Sequence, residues 1–318
     1  MTITQLQYVL AVAEHQNFTK AAQKVFVTQP TLSMQIQKLE DELDVQIFDR
    51  TKKPIQLTET GRKIVNQARN IVNESDRIQD IVDQQKGFVG GTFRIGVIPT
   101  VMPTLLPMFL NNFIKKYPKV KLKIEELNTE AIIEKLKEGH LDAAIAATPL
   151  ELDYIKEQVL YYEPFVAYIP NGHRLSKNDK LTVEDLDVDD MLLLEDGHCF
   201  KDGILNLCKT QRNYEGDQFQ LESGSFETLI KLSNEGLGMT LLPYLHTLDL
   251  GVNEQKNLKM FKDPVPAREV SLIYTKSELK MQIIEALRST IAGVVKGAIA
   301  FQNVKIISPI NLNKNANK

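Results

Sequence analysis

Apolar residues recur at helical spacing along the first part of the chain, beginning with the stretch from Leu6 to Ala13. A second, alanine-rich helix follows. Thr28 and Pro30 mark the start of a third helix, because threonine caps the free N–H groups of a first turn and proline is tolerated there. The apolar side of this third helix is formed by Leu32, Ile36, Leu39 and Leu43. The sequence therefore predicts three closely spaced helices at the N-terminus.

A short charged turn and a long helix come next. The segment from Arg50 to Lys53 precedes an extended piece at 55–57, and Thr58 is placed to cap a long helix. A helix of that length gains most of its stability by packing, so we expect a partner helix along its apolar seam. Gly90-Gly91 is a hinge pattern, and we place a domain boundary there.

From Thr92 onward, short β-branched runs alternate with helical periodicity. Strand, helix and strand in succession are typical of a parallel, doubly wound α/β fold. The predicted fold class for the whole chain is thus α + α/β. Strands are predicted at 93–98, 120–127, 141–146, 165–169, 191–194, 239–242 and 270–274, and helices at 105–117, 129–138, 225–235 and 280–295, with Thr129 placed to cap the second of these helices.

Composition narrows the classes of protein to consider. With 318 residues, of which 43% are hydrophobic and 25% charged, the chain is typical of a globular protein of two or slightly more domains. The net charge is −3, yet residues 1–70 carry nine Lys and Arg against seven Asp and Glu, a net of +2. A nucleic-acid partner is therefore expected at the N-terminus.

Location and metal content can also be predicted. No run is long and apolar enough to cross a membrane, and the N-terminus lacks the basic start of a signal peptide, so we expect a cytoplasmic protein without membrane contact. A static disulfide is not expected in that reducing compartment. Two cysteines are too few for a closed structural zinc site, and we predict neither a metal site nor a cofactor.

The first helices have the spacing of a helix-turn-helix. Ala21 and Ala22 let two helices cross closely, and polar side chains gather at the N-terminal end of the third helix, the end that reaches base edges in the major groove. A helical hairpin used only for packing is the alternative, and the wing that follows makes it the weaker one. The predicted DNA-binding residues are Thr28, Gln29, Pro30, Thr31, Ser33, Lys38, Arg50, Lys52 and Lys53.

The two cysteines lie nine residues apart, after the predicted strand 191–194. Asp196-Gly197 is a turn pattern, so Cys199 is predicted in the first turn of a short helix, where the dipole favours the thiolate. If 199–208 is helical, the two Cα atoms lie about 13 Å apart, whereas a disulfide needs less than about 7 Å. Oxidation would then require unwinding. Inert buried thiols are the alternative, and the pair taken alone favours it.

Residues 1–87 resemble the winged helix-turn-helix and linker helix of the LysR-type transcriptional regulators. The motifs that carry the resemblance are FTKAA at 18–22, VTQPTLS at 27–33, Ile36-x-x-Leu39-Glu40-x-x-Leu43, Phe48-x-Arg50 and Leu57-Thr58-x-Thr60-Gly61. The resemblance implies dimers joined through the linker helix and assembled as a dimer of dimers. It also implies an effector domain similar to the periplasmic binding proteins, with two subdomains and a cleft.

The resemblance also implies how the chain is divided. Residues 1–58 are expected to form the DNA-binding domain and 59–89 the linker and dimerisation helix. Residues 90–305 would form the redox-sensing effector domain of two subdomains, and 306–318 a tail.

A further set of motifs resembles the peroxide-sensing members of this family. The motifs are IGVIPTV at 95–101, LLEDGHC at 193–199 with Cys208 nine residues on, SFETL at 225–229 and GMTLLP at 238–243. The resemblance implies that hydrogen peroxide oxidises Cys199, and that the resulting sulfur forms a disulfide with Cys208. The peroxide-binding residues and proton donors would be Thr100, Thr129, His198, Asp202 and Arg268. Glu125 stands where other members have histidine.

The partners that the resemblance implies are promoter DNA, a second copy of the chain, RNA polymerase, and a thiol reductant such as glutaredoxin or thioredoxin. The disulfide would alter DNA binding and activate antioxidant genes, so the chain would not be an enzyme. Three other functions stay open: a LysR-type regulator that binds a small metabolite, a thiol peroxidase, and a solute-binding protein. The N-terminal helices and the missing signal peptide count against the last.

Overall fold

The structure, a computed structural model, describes residues 1–85, 89–195, 197, 199–208, 223–299 and 304–309. The chain forms two compact units, Met1–Phe88 and Val89–Lys318. Each unit contains apolar core of its own. No helix in these described ranges is both long enough and apolar enough to cross a bilayer.

The first unit is built from four helices and a two-stranded wing. Its elements are α1 (Ile3–His15), α2 (Phe18–Lys24), α3 (Gln29–Leu43), β1 (Phe48–Asp49), β2 (Gln56–Leu57) and α4 (Glu59–Gln85). Strands β1 and β2 pair antiparallel. The predicted caps are confirmed: Thr28 Oγ1 accepts a hydrogen bond from the N–H of Thr31, and Thr58 Oγ1 accepts one from Gly61. Three residues of the predicted apolar stripe, Leu32, Ile36 and Leu39, are fully buried.

The second unit combines nine strands and seven α-helices within the described residues. The strands are β3 (Gly91–Val97), β4 (Val120–Glu126), β5 (Ala143–Thr148), β6 (Ile155–Tyr168), β7 (Lys180–Leu181), β8 (Thr240–Pro243), β9 (Leu258–Phe261), β10 (Val265–Thr275) and β11 (Val304–Ile306). The helices are α5 (Met102–Lys116), α6 (Thr129–Lys137), α7 (Cys199–Cys208), α8 (Phe226–Asn234), α9 (Tyr244–Thr247), α10 (Val252–Gln255) and α11 (Met281–Val295).

The strands of the second unit run in the order β4-β3-β5-β10-β6-β9-β7, with β8 on β6 and β11 on β10. Strands β3, β4 and β5 are parallel, as the alternation of strands and helices predicts. Strand β10 is antiparallel to both of its neighbours, β5 and β6. The α + α/β class is confirmed, and the sheet is mixed rather than wholly parallel.

Two long strands connect two apolar cores in this unit. The first lobe is the core built on β3, β4, β5, α5, α6 and α11; the second lobe is the core built on α7, α8 and β8. Strand β6 contributes Tyr161 to the first lobe and Phe165 to the second, while β10 contributes Val270 to the first and Val265 to the second. The effector unit therefore has two lobes joined by β6 and β10.

The sequence pattern located only part of these crossing strands. The strand predicted at 165–169 is the end of β6, whose first half carries Lys156, Glu157 and Gln158 and therefore lacks an apolar run. The strand predicted at 191–194 is reduced to a single bridge between Met191 and Met239.

Candidate functional site

Cys199 lies in the first turn of a helix, as predicted, and this helix continues to Cys208. Helix α7 has ten residues, and neither cysteine forms a disulfide in the described part of the chain. At a rise of about 1.5 Å per residue, their Cα atoms are about 13 Å apart, beyond the roughly 7 Å that a disulfide allows. The two thiols cannot bond while this helix is intact.

The two ends of the helix belong to different cores. Cys199 is 9% exposed and lies in the apolar cluster of the first lobe. Cys208 packs against the cluster of the second lobe, which also contains Phe200, Ile204 and Leu207 of the same helix. The start of α7 is therefore the point where this helix inserts into the first lobe.

The pKa of the Cys199 thiol lies above its ordinary value because burial disfavours the thiolate. Three neighbours act in the opposite direction: the positive charge of Arg268, the hydroxyl of Thr129 and the backbone of Ala147 each lower this pKa. The carboxylate of Asp202 raises it. The expectation that a helix start makes Cys199 a ready thiolate is not met, because burial outweighs it.

Arg268 is the charged residue that lowers the pKa of this thiol most. It is 3% exposed, on β10. Its Nη1 donates to Thr100 Oγ1 at 2.8 Å, and its Nη2 donates to the Thr100 carbonyl at 3.0 Å. The guanidinium also lies over the ring of Phe200, 5.1 Å from its centroid. Arg268 thus holds the loop after β3 next to the start of α7.

Glu163 is a site residue that the sequence analysis missed. It lies on β6 directly opposite Arg268 and is 1% exposed. Its Oε2 accepts hydrogen bonds from Arg268 Nε at 2.9 Å and Nη2 at 2.7 Å, and its Oε1 accepts one from the N–H of Leu245 at 2.9 Å. A buried arginine needs such a partner. The signal in the sequence was a single carboxylate within the apolar second half of the strand.

The sequence predicted that Thr129 caps helix α6, and this prediction is wrong. The cap is Asn128, whose Oδ1 accepts a hydrogen bond from the N–H of Ala131 at 2.9 Å. Thr129 Oγ1 is buried and makes no hydrogen bond of standard geometry with the described residues. It nevertheless interacts with the Cys199 thiol and lowers its pKa. The Thr129 hydroxyl therefore lies beside the sulfur of Cys199.

The structure brings most of the predicted redox-site residues together. The pKa of Cys199 responds directly to Thr129, Asp202 and Arg268. Thr100 belongs to the same group because its hydroxyl accepts a hydrogen bond from Arg268. His198 lies outside the described residues. The pKa of Cys208 is raised to about 11, first by burial and then by the carboxylate of Asp187.

The predicted DNA-binding residues lie on the surface of the first unit. Ser33 is half-buried. The exposed ones include Thr28, Gln29, Pro30, Thr31, Lys38, Lys52 and Lys53. Arg50 is also exposed, but its Nη2 donates to Glu40 Oε2 at 2.7 Å, and its guanidinium lies over the ring of Phe18. The same Glu40 accepts the N–H groups of the wing strand β1, so the wing is fixed to α3.

Two family descriptions match this chain. Residues 3–62 match "Bacterial regulatory helix-turn-helix protein, lysR family", and residues 86–295 match "LysR substrate binding domain". These matches span the helix-turn-helix with its wing and most of the two-lobed unit.

Curated relatives extend the similarity to nearly the full length. The DNA-binding transcriptional dual regulator OxyR of Escherichia coli K12 is 34% identical over 297 residues, which is 92% of this chain and 97% of that protein. A hydrogen peroxide-inducible genes activator of Haemophilus influenzae is 32% identical over 299 residues, 94% of this chain and 99% of that protein.

Solved structures show the same architecture. Full-length OxyR from Pseudomonas aeruginosa, carrying a substituted cysteine, is 32% identical with a TM-score of 0.73, covering 92% of this chain and 98% of that one. A hydrogen peroxide-bound cysteine-to-serine mutant of OxyR from Corynebacterium glutamicum is 28% identical with a TM-score of 0.60, covering 96% and 98%.

Proposed function

The chain belongs to the LysR family of bacterial regulatory helix-turn-helix proteins, and we propose that it is a transcription activator switched by hydrogen peroxide. One observation carries the proposal: Cys199 and Cys208 occupy opposite ends of one helix, Cys199 in the core of the first lobe and Cys208 packed against the core of the second. The names of the curated relatives, which are activators of genes inducible by hydrogen peroxide, support the same function.

The first step is oxidation of Cys199. Its thiolate attacks one oxygen of hydrogen peroxide, the O–O bond breaks, and the sulfur becomes a sulfenic acid while the other oxygen leaves as hydroxide. The hydroxide takes up a proton and becomes water. Arg268 favours the thiolate electrostatically, and Thr129 offers a free hydroxyl beside the sulfur. Thr100 holds Arg268 in place, and we propose Asp202 and His198 as further groups of this site.

The second step is disulfide formation. The Cys208 thiolate attacks the sulfenic sulfur, the S–O bond breaks as the S–S bond forms, and the departing hydroxide takes up the proton that the Cys208 thiol released and becomes water. Because the two Cα atoms are about 13 Å apart in α7, the helix has to unwind first. Cys199 is thereby withdrawn from the core of the first lobe, so a local reaction changes how the two lobes pack. A thiol reductant such as glutaredoxin or thioredoxin would reopen the bond.

The output of the switch is a change in promoter binding. The N-terminal end of α3 would read base edges in the major groove, and Lys52 and Lys53 of the wing would bind phosphates. The exposed apolar residues of α4, Ile78, Ile81 and Val82, support pairing of two copies along this helix. We propose a dimer of dimers that contacts RNA polymerase in the cytoplasm.

The division of the chain follows from the same proposal. Residues 1–58 would form the DNA-binding domain and 59–89 the dimerisation helix. Residues 90–305 would form the sensing domain, and 306–318 a tail. The boundary between the two compact units falls at the end of the proposed dimerisation helix.

A footprint of the full-length protein on promoter DNA, recorded with and without hydrogen peroxide, tests this function. We expect the footprint to change on oxidation and to stay constant in Cys199→Ser. A footprint that responds to a metabolite and not to peroxide would favour the metabolite-binding alternative. Sustained peroxide turnover with a thiol reductant, without any change in the footprint, would favour a thiol peroxidase.

A further inference from the structure

Tyr161 is a buried residue that the proposed reaction does not yet use. Its side chain is 7% exposed, and its hydroxyl makes no hydrogen bond with any residue in the described ranges. A buried donor without a partner is destabilising, so proteins rarely leave one unpaired without a functional reason. The hydroxyl therefore points to a polar ligand at this position.

Tyr161 lies in the same row of cross-strand partners as Ala147, whose backbone interacts with the reactive thiol. Ala147 on β5 pairs with Val270 on β10, and Val270 pairs with Tyr161 on β6. Since neighbouring strands are about 4.8 Å apart, the Cα atoms of Ala147 and Tyr161 are roughly 10 Å apart. The backbone of Ala147 interacts with the Cys199 thiol. Tyr161 therefore lies two strands away from the backbone that interacts with the sulfur, in the same row of the sheet.

Tyr161 also shares a sheet face with the charged pair of the site. Glu163 lies two residues along β6 on the same face, and Arg268 is its direct partner, so Arg268 is diagonal to Tyr161. Both charges act on the phenol. A register shift between Val270 and Ser271 leaves Leu160 as an extra residue next to Tyr161. Such bulges re-aim side chains near active sites.

The phenol stays protonated in this environment. Burial and the carboxylate of Glu163 raise the pKa of Tyr161 well above its ordinary value, although Arg268 opposes them. The group is therefore a hydrogen-bond donor at every physiological pH. The aromatic ring packs in the same apolar cluster as Cys199.

We propose that the Tyr161 hydroxyl is a peroxide-binding group that donates a hydrogen bond to the oxygen that leaves when Cys199 attacks. This inference rests on the proposed function. The sulfur bonds to the near oxygen and loses two electrons, and the far oxygen takes the electron pair of the broken O–O bond as hydroxide. That hydroxide takes up the proton that the thiol released, so the net change is thiol plus hydrogen peroxide to sulfenic acid plus water. The Tyr161 O–H stabilises the developing charge and is not consumed.

The test compares Tyr161→Phe with Tyr162→Phe in the full-length chain. Both are made in a Cys208→Ser background, so that the sulfenic acid persists. Tyr162 is the matched control, because it carries the same side chain on the next residue of the strand, points to the other face and is 42% exposed. The measurements are the rate of Cys199 sulfenic acid formation with hydrogen peroxide, followed by dimedone labelling, and the rate of Cys199 alkylation by iodoacetamide.

We expect Tyr161→Phe to slow sulfenic acid formation at least about tenfold, since losing one donor to a developing oxyanion costs about 10²- to 10³-fold in well-studied cases. Alkylation should stay within about twofold, because the thiolate is unchanged. Tyr162→Phe should change neither rate. Because phenylalanine keeps the ring and removes an unpaired hydroxyl, the variant should fold.

Oxidation of Tyr161→Phe at the rate of the parent chain would overturn this inference. Equal slowing of oxidation and alkylation would overturn it as well, because Tyr161 would then act on the thiol and not on peroxide. If the parent chain formed no sulfenic acid at all, the proposed function itself would fail. The two failures are therefore distinguishable.

Discussion

Cys199 and Cys208 are the first and last residues of a single ten-residue helix; Cys199 lies in the apolar core of the first lobe, and Cys208 packs against the core of the second. A covalent bond between them is incompatible with the helix. Forming the bond would therefore cost the free energy of helix α7 and of the packing of Cys199 in the first lobe, and the free energy gained from the disulfide would have to exceed that cost. In the proposed function, this opposition would let a reaction at one sulfur shift a packed structure between two states.

Arg268→Gln should make Cys199 less reactive. The positive charge of Arg268 lowers the pKa of the thiol, so its removal raises that pKa and reduces the thiolate fraction at any neutral pH. The measurement is the pH dependence of Cys199 alkylation in a Cys208→Ser background. The midpoint should move to higher pH, whereas Arg288→Gln, on the surface of α11, should leave it in place. Arg268→Gln leaves the buried carboxylate of Glu163 without its partner, which destabilises the fold. The double variant with Glu163→Gln should show the same shift of the midpoint without that loss of stability.

The reaction of the unaltered chain with hydrogen peroxide should accelerate with pH. Burial holds the pKa of Cys199 above its ordinary value, and only the thiolate reacts. Below that pKa the thiolate fraction rises about tenfold per pH unit, so the rate of sulfenic acid formation should still be climbing between about pH 6 and pH 8. Stopped-flow or quenched labelling at a series of pH values measures this. A rate that is already constant at the acidic end of that range would mean that the thiol is ionised there.

Glu163→Ala should destabilise the effector unit strongly. It leaves the buried guanidinium of Arg268 without its carboxylate and the N–H of Leu245 without an acceptor. Breaking one partner of a buried ion pair costs about 3–5 kcal/mol. Urea unfolding measures the loss, with Glu285→Ala as the control, since the exposed pair of Glu285 and Arg288 is worth less than about 1 kcal/mol. Similar losses for the two variants would show that the Glu163–Arg268 pair contributes little.

Gln29→Ala and Ser33→Ala should weaken promoter binding without slowing Cys199 oxidation. Gln29 is exposed and Ser33 half-buried at the N-terminal end of α3, and a good contact to a base edge is worth about 1–3 kcal/mol. In gel-shift or anisotropy titrations at fixed salt, the Kd for promoter DNA should rise about five- to one-hundred-fold. Gln7→Ala, exposed on α1, is the control. Unchanged binding with both residues replaced would exclude this end of α3 as the recognition surface.

The sequence was most informative where structure is local. The start of α3 could be predicted from Thr28 and Pro30, because a capping hydroxyl and a first-turn proline act within a few residues of each other. The turn pattern Asp196-Gly197 likewise predicted Cys199 in the first turn of a helix, and the rise per residue showed what a helix reaching Cys208 would mean for the disulfide.

The sequence was least informative where partners are far apart. Glu163 and Arg268 are 105 residues apart, and the reason that a carboxylate is buried in β6 exists only after the two strands pair. Thr129 was assigned to a helix cap because a threonine at that position commonly caps; Asn128 takes that role and leaves the Thr129 hydroxyl for the thiol. The elevated pKa of Cys199 depends on burial by a different lobe, which no local pattern encodes.

The most direct measurement is a peptide map of the full-length chain before and after exposure to low hydrogen peroxide, with a far-ultraviolet circular dichroism spectrum of each sample. The account predicts one intramolecular disulfide joining Cys199 to Cys208 after exposure, together with a loss of helix signal, both absent in Cys208→Ser. Two free thiols after exposure, in a protein whose promoter footprint has nonetheless changed, would contradict it, as would a disulfide that forms with no loss of helix.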